Sequence, residues 1–177
     1  MAAIKQDDLI ESVADAFQYI SYYHPKDYID ALALAYEREE SSAAKDAIAQ
    51  ILTNSKMSAQ GRRPMCQDTG LAVVFVKLGM EVKWSGATMT VDEMIHEGVR
   101  RAYTHPDNKL RASVVKDPAN RRVNSRDNTP AVIHYEVVPG SEIEITVAAK
   151  GGGSENKAKF TTLMPSDSLA DWIVDVV

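Results

Sequence analysis

The sequence predicts an α/β (α+β) chain: N-terminal helices followed by a mixed, largely antiparallel sheet with flanking helices. Two changes of pattern carry that prediction. Up to about residue 52 the apolar residues recur at helical spacing. From Leu71 they fall into unbroken runs and strict alternation, the marks of buried and half-buried strands. With 177 residues, 45% of them hydrophobic, the chain is long enough to bury a core of its own.

Leu9, Ile10, Val13, Ala16, Phe17 and Ile20 place a helix over residues 7–23. His24-Pro25 interrupts it, because proline disfavours helical backbone in the residue before it. Proline suits the first turn of the next helix, which runs through Tyr28, Ile29, Leu32, Leu34 and Ala35. A third helix follows Ser41-Ser42 and reaches Leu52; Thr53–Lys56 and Gly61–Pro64 then read as loop. Leu71–Val76 is a buried strand that ends at Gly79, and Glu81–Trp84 a short partner strand. Thr90 caps a helix reaching about Tyr103, with Glu93 completing a capping box. Residues 104–130 are a long polar loop of the kind that is usually functional or disordered. Ala131–Val138 is a strand, Pro139-Gly140 a turn, and Glu142–Val147 its alternating antiparallel mate. Lys157–Thr161 could add another strand, and Ser166 or Asp167 caps a final helix from Leu169 to Val177.

Composition excludes several functions. A net charge of −5 argues against general nucleic-acid binding, which needs a basic face. No apolar run is long enough to span a membrane, so no membrane partner is expected. The N-terminal residues lack the apolar stretch of a signal peptide. A single cysteine makes no internal disulfide and suits a reducing, cytoplasmic setting.

That cysteine, Cys66, stands at the mouth of a strand, in Pro64-Met65-Cys66-Gln67-Asp68-Thr69-Gly70. A free cysteine is often simply a small buried hydrophobe, but here the Arg62-Arg63 pair and the loop amides favour its thiolate, the form that binds metal or attacks carbon. Asp68 could orient a ligand or accept a proton, or it could simply close a turn on its own backbone. Lys150-Gly151-Gly152-Gly153-Ser154 follows the alternating strand; successive glycine N–H groups form an anion-binding nest, or a flexible turn. Between residues 100 and 127 eight basic residues, Arg111 among them, face three acids, Asp107, Asp117 and Asp127. On an acidic protein that excess suits a small anion such as a dicarboxylate, since the guanidinium fork fits a carboxylate. The four histidines have no metal-ligand spacing and read as structural. Phe17, Tyr19, Tyr22, Tyr23, Tyr28 and Tyr36 exceed what one core face needs, and tyrosine is favoured at interfaces.

Met65–Gly70, Asn108-Lys109-Leu110-Arg111, Asn128-Thr129-Pro130-Ala131 and Lys150–Asn156, in that order, resemble the N-terminal part of class I fumarases. The related tartrate dehydratase alpha subunits share the pattern. The resemblance implies a hydro-lyase that adds water across fumarate to give malate, working through a four-iron four-sulfur cluster with one iron open to substrate. It makes Cys66 the first cluster ligand. Gln67 and Asp68 contact substrate or its water, with Asp68 counted as catalytic. Arg111 grips a substrate carboxylate, and Gly152 and Gly153 offer backbone N–H groups to one. It also implies a homodimer. Residues 1–177 are then one N-terminal, alpha-type domain, helical over about 1–56 and sheet-containing over about 62–177. The other cluster cysteines and the C-terminal part that supplies the catalytic base are missing, so this chain alone should lack the cluster and be inactive. Two alternatives remain: the alpha part of an L-tartrate dehydratase, and a non-catalytic module that binds a small anion.

Overall fold

The computed structural model describes residues 3–152 and 159–176. In chain order the elements are β1 (Ile4–Lys5), α1 (Gln6–Tyr22), α2 (Lys26–Arg38), α3 (Ser42–Gly61), β2 (Leu71–Gly79), β3 (Trp84–Ser85), α4 (Val91–Tyr103), β4 (Val115–Lys116), β5 (Val123–Asn124), β6 (Val132–Val138), β7 (Ile143–Lys150) and α5 (Leu169–Val176). The α/β class and the mixed sheet are as expected.

Helix α1 buries a single stripe, Leu9, Ile10, Val13, Ala14 and Phe17, which is the face its spacing encodes. The stripe lies along α4, whose buried side is Met94, Ile95, Val99, Ala102 and Tyr103. The two helices meet closely at Gly98, where a Cβ would stand 2.7 Å from the Ile10 carbonyl oxygen. Helix α4 starts with the predicted capping box. Thr90 Oγ1 accepts from the Glu93 N–H at 3.3 Å, and the Glu93 carboxylate accepts from the Thr90 N–H at 2.8 Å. The backbone and hydroxyl of Thr90 hold the Glu93 carboxyl below its ordinary value.

The helices cover one face of a three-stranded sheet with order β6-β2-β7. That face presents Ala72, Val74 and Val76, all buried, with Ile133, Ile145 and Val147 packed against the same core. The other face exposes Leu71, Phe75 and Val132, and the Phe75 ring stacks on His134 at 5.0 Å between centroids.

The expected hairpin across Pro139-Gly140 does not form. Strands β6 and β7 flank β2, which runs parallel to β6 and antiparallel to β7. Alternation says which face of a strand is buried but not which strand lies beside it. The Pro139-Gly140 connection instead crosses over the end of β2. The Gly79 N–H donates to the Glu142 carbonyl at 2.9 Å and the Glu81 N–H to the Gly140 carbonyl at 2.8 Å. The crossing needs a residue without a side chain, because a Cβ on Gly79 would lie 2.4 Å from the Gly140 oxygen.

Five smaller expectations also need correction. Thr53–Lys56 is helix, since α3 runs to Gly61 and ends at Arg62 in the left-handed region. Its polar residues are not loop formers here; Ser55 and Ser58 are buried on its inner side. Residues 104–130 contain a short antiparallel ladder, β4 with β5. The strand near Trp84 pairs in parallel with β1 at the N-terminus. Helix α5 is capped by Ser168, whose Oγ accepts from the Asp171 N–H at 3.2 Å, rather than by Ser166 or Asp167. Of the strand expected over 157–161, residues 157 and 158 lie outside the described residues and 159–161 are not strand.

No residue of α5 is buried, and no helix among the described residues is long and apolar enough to cross a membrane. Tyr19, Tyr22 and Tyr23 cluster at the end of α1, with Tyr19 and Tyr23 ring centroids 4.7 Å apart, and Tyr19 is exposed.

Gly79→Ala should lower stability by about 1–3 kcal/mol through overpacking of the crossing, seen as a lower urea midpoint with unchanged slope. Gly61→Ala, where a Cβ meets nothing nearer than 3.6 Å, serves as the comparison and should shift stability little.

Candidate functional site

The antiparallel register of β2 and β7 sets Leu71 opposite Lys150. It therefore brings the loop that enters β2, Met65–Gly70, against the residues that leave β7, Lys150-Gly151-Gly152. Gly70 sits at the junction with φ +73°, and a Cβ there would stand 2.8 Å from the Lys150 backbone. Both the conformation and the close approach require glycine.

Asp68 joins the two loops. One carboxylate oxygen accepts the Gly70 N–H at 3.2 Å, which is the local turn that aspartate favours. The other accepts the Gly152 N–H at 3.0 Å, a contact between residues 84 apart in sequence. Gly151 closes the cradle: a Cβ there would lie 3.2 Å from the same carboxylate oxygen.

A buried polar frame holds these loops. Asn128 is fully buried, with φ +63°. Its amide donates to the Gly70 carbonyl at 3.0 Å, and its carbonyl oxygen accepts from the N–H groups of Ser113 at 2.6 Å and Val114 at 3.2 Å. The Tyr103 hydroxyl, also buried, donates to the carbonyls of Thr69 at 2.7 Å and Gly70 at 3.2 Å. Burial first, and the charge of Asp68 with it, push the Tyr103 phenol well up against the pull of Asn128. The Thr69 hydroxyl donates to the Arg111 carbonyl at 2.7 Å. Asn108 anchors the start of the Arg111 segment: its amide donates to Gln18 Oε1 at 2.8 Å, and Gln18 returns a bond to the Asn108 carbonyl at 2.9 Å. Asp127 accepts from the N–H and hydroxyl of Thr129. Burial would raise its carboxyl, but these bonds outweigh it and the net shift is downward.

Cys66 is exposed, with Sγ 3.3 Å from the Asp68 carbonyl. It opens on a cleft of about 250 Å³ between the end of α1 and its own loop, lined among others by Phe17, Ile20, His24, Met65 and Asp68. Two bonds pin the loop: the Met65 N–H to the Ser21 carbonyl at 3.0 Å, and the Asn54 amide to the Met65 carbonyl at 2.9 Å. His24 lies on the cleft wall. Its Nδ1 bonds Ser55 Oγ at 3.0 Å, its ring packs 4.7 Å from Tyr28, and burial lowers its proton affinity.

Of the predicted site residues, Cys66, Gln67, Asp68, Arg111 and Gly152 belong to this one region; Gly153 lies outside the described residues. Gln67 and the side of Arg111 are exposed. Cys66 is the chain's one thiol, and no group of three His, Cys, Asp or Glu gathers to hold a metal among the described residues. Sequence reasoning missed the supporting partners Tyr103, Gln18 and His24. Asn128 was visible in its motif, but its task was not, because the groups it joins lie 14–58 residues away. The arrangement presents an exposed thiol, a carboxylate that takes two backbone donors among the described residues, and a guanidinium, all carried by a buried frame.

Asn128→Ala should cost about 3 kcal/mol, since it strands buried N–H and carbonyl groups; a fall in Tm checks it. His24 carries a sign that can be tested. Its folded proton affinity lies below the ordinary pKa of 6.5. Below that pH the unfolded chain binds a proton that the folded ring refuses, so stability falls as pH drops through this range, down to the folded pKa. In His24→Gln that dependence should flatten in pH-resolved urea unfolding.

The fumarate hydratase (Fumerase) family model matches residues 10–177. A putative L(+)-tartrate dehydratase subunit alpha from Methanocaldococcus jannaschii is 35% identical over 160 residues, covering 89% of this chain and 55% of that protein. Fumarate hydratase 2 of Leishmania major is 34% identical over 81% of this chain and 25% of its own length. The anaerobic class I fumarate hydratase of Escherichia coli is 35% identical over 81% of this chain and 26% of its own. The chain thus spans about half the length of the first relative and about a quarter of the other two. By the family match over nearly its whole length, the chain belongs to the fumarate hydratase (Fumerase) family.

Proposed function

We propose that this chain forms the N-terminal part of a class I fumarate hydratase, a hydro-lyase that reversibly adds water to fumarate to give (S)-malate. The observation that carries this is the meeting of the Cys66–Asp68 loop and the Gly151-Gly152 backbone with the Arg111 segment, three stretches from distant parts of the chain. Fumarate hydratase relatives imply a dicarboxylate substrate, and a carboxylate is what this region is equipped to bind.

Cys66 fits one ligand position of a four-iron four-sulfur cluster: it is exposed, on a pinned loop, with Arg62 and Arg63 just upstream. A lone thiolate does not hold such a cluster, so its other ligands come from the C-terminal part of the enzyme, and this chain alone is inactive. When bound, the cluster supplies an open iron as Lewis acid for the departing hydroxide. The chain's own residues do the rest of the binding. Arg111 takes one substrate carboxylate in its planar fork. Gly152, with Gly153, offers N–H groups to a carboxylate, and Gln67 and Asp68 contact the substrate or its water. The proton beside a carboxylate is poorly acidic; fixed donors on that carboxylate stabilise the charge that grows there as it leaves. The base belongs to the C-terminal part. The enzyme works in the cytoplasm as a homodimer.

A second reading, the alpha part of an L-tartrate dehydratase, is favoured by the fuller match to the Methanocaldococcus relative, 55% of its length against about a quarter for the fumarate hydratases. Turnover of fumarate against L-tartrate by the whole enzyme separates the two.

In the whole enzyme, Cys66→Ser should remove both the visible iron–sulfur absorption and activity after anaerobic reconstitution; full activity in that variant would reject the ligand role. Arg111→Lys should raise KM for the dicarboxylate about tenfold, the loss of a bidentate charged contact. A cluster assembled on the 177-residue chain alone would contradict the shared ligand set.

A further inference from the structure

Asp68 and Gly152 both belong to the proposed substrate site, yet they are bonded to each other. The Gly152 N–H points at Asp68 Oδ2 at 3.0 Å, and the Gly70 N–H at Oδ1 at 3.2 Å. Among the described residues, two backbone donors from two loops therefore already hold a carboxylate, and that carboxylate is the protein's own. The cradle is fitted to it: a Cβ at Gly151 would come within 3.2 Å of Oδ2 and one at Gly70 within 2.8 Å of the Lys150 backbone. The frame behind it is rigid, because the Thr69 and Gly70 carbonyls are taken by Tyr103 and Asn128. The Asp68 side chain itself is half-buried and Gly152 is exposed, so a ligand can reach the long-range bond from solvent.

We propose that the Asp68 carboxylate is the resident occupant of this cradle and that a substrate carboxylate takes the Gly152 N–H by exchange. This rests on the proposed function and adds a coupling to it. Before binding, the Gly152 donor is satisfied and Asp68 is turned away from its task. When a dicarboxylate arrives, its carboxylate accepts from Gly152 in place of Oδ2. Asp68 keeps its turn with Gly70 and its released oxygen swings toward the bound ligand. No covalent bond changes. The exchange substitutes one charged hydrogen bond for another, so the donor is never left bare. Binding at the cradle and freeing of Asp68 become one event, which a dicarboxylate triggers and water does not.

The test is fumarate binding to the 177-residue chain followed by NMR of the Gly152 amide and the Asp68 side-chain carboxyl carbon. In the wild type both signals should move together on titration. Asp68→Ala empties the cradle and should bind fumarate about tenfold more tightly at Gly152, the worth of one charged hydrogen bond no longer displaced. Asp68→Asn keeps an acceptor in place without the charge and should gain less. Unmoved amides at Gly98 and Asn128 certify that each variant keeps its fold. Equal gains in the two variants would overturn the exchange in favour of plain charge repulsion. Binding at Gly152 that is unchanged or weaker in Asp68→Ala would overturn the exchange while leaving the dicarboxylate site standing. A Gly152 amide that fumarate moves in none of the three proteins would overturn both.

Discussion

The carbonyl of Gly70 is the point from which the site hangs. It is buried at a junction where the chain leaves a loop and enters β2, and a buried carbonyl without a partner is costly. Two side chains satisfy it: the Asn128 amide and the Tyr103 hydroxyl. Each brings an element with it. Tyr103 ends α4, and so ties the loop to the helix layer. Asn128 also holds the Ser113 and Val114 N–H groups, and so draws in the segment that carries Arg111. One backbone acceptor thus fixes the distance between the Asp68 turn, the Arg111 segment and the core.

Strand β2 does the same for the sheet. It takes β6 on one side and β7 on the other, and the connection between those two passes over its far end at Gly79. Its near end delivers Asp68 and Gly70 beside Lys150 through the β7 register. The strand with the longest apolar run is therefore both the middle of the core and the arm that positions the site. Its two ends are constrained in different ways: the far end by a crossing backbone, the near end by a left-handed glycine pressed on Lys150.

Much of this was legible in the sequence, and the limits have physical causes. The α1 stripe and the Thr90 capping box depend on neighbours three or four residues away, and both were read correctly. The hairpin over Pro139-Gly140 was not, because period and turn chemistry are local while strand order is decided by what packs between. The polar run Thr53–Lys56 reads as a loop because its buried residue, Ser55, is polar and uses its hydroxyl to bond His24. At the site, Cys66, Asp68, Arg111 and the glycines were picked out as chemistry-bearing types. Asn128 and Tyr103 hold them in place through bonds that span tens of residues, and no pattern within the chain announces such a bond.

Exposure divides the site into two kinds of residue. Asn128, Tyr103 and Thr69 are buried and spend their side-chain polar groups on backbone, and buried Asn108 spends its amide on the Gln18 side chain; Cys66, Gln67, Arg111 and Gly152 are exposed. Buried groups with satisfied hydrogen bonds lose little freedom when a ligand arrives, because they have lost it already on folding. The exposed groups can then act with the cost of positioning borne elsewhere. Asp68 stands between the classes, half-buried and bonded to one loop by a local turn and to the other across 84 residues. Its partner across that distance, the Gly152 N–H, is also a donor that a ligand would want. A rigid frame makes that competition sharp: with Gly70 fixed, the carboxylate has a short choice of places to go, and moving one oxygen is enough to change what the site offers.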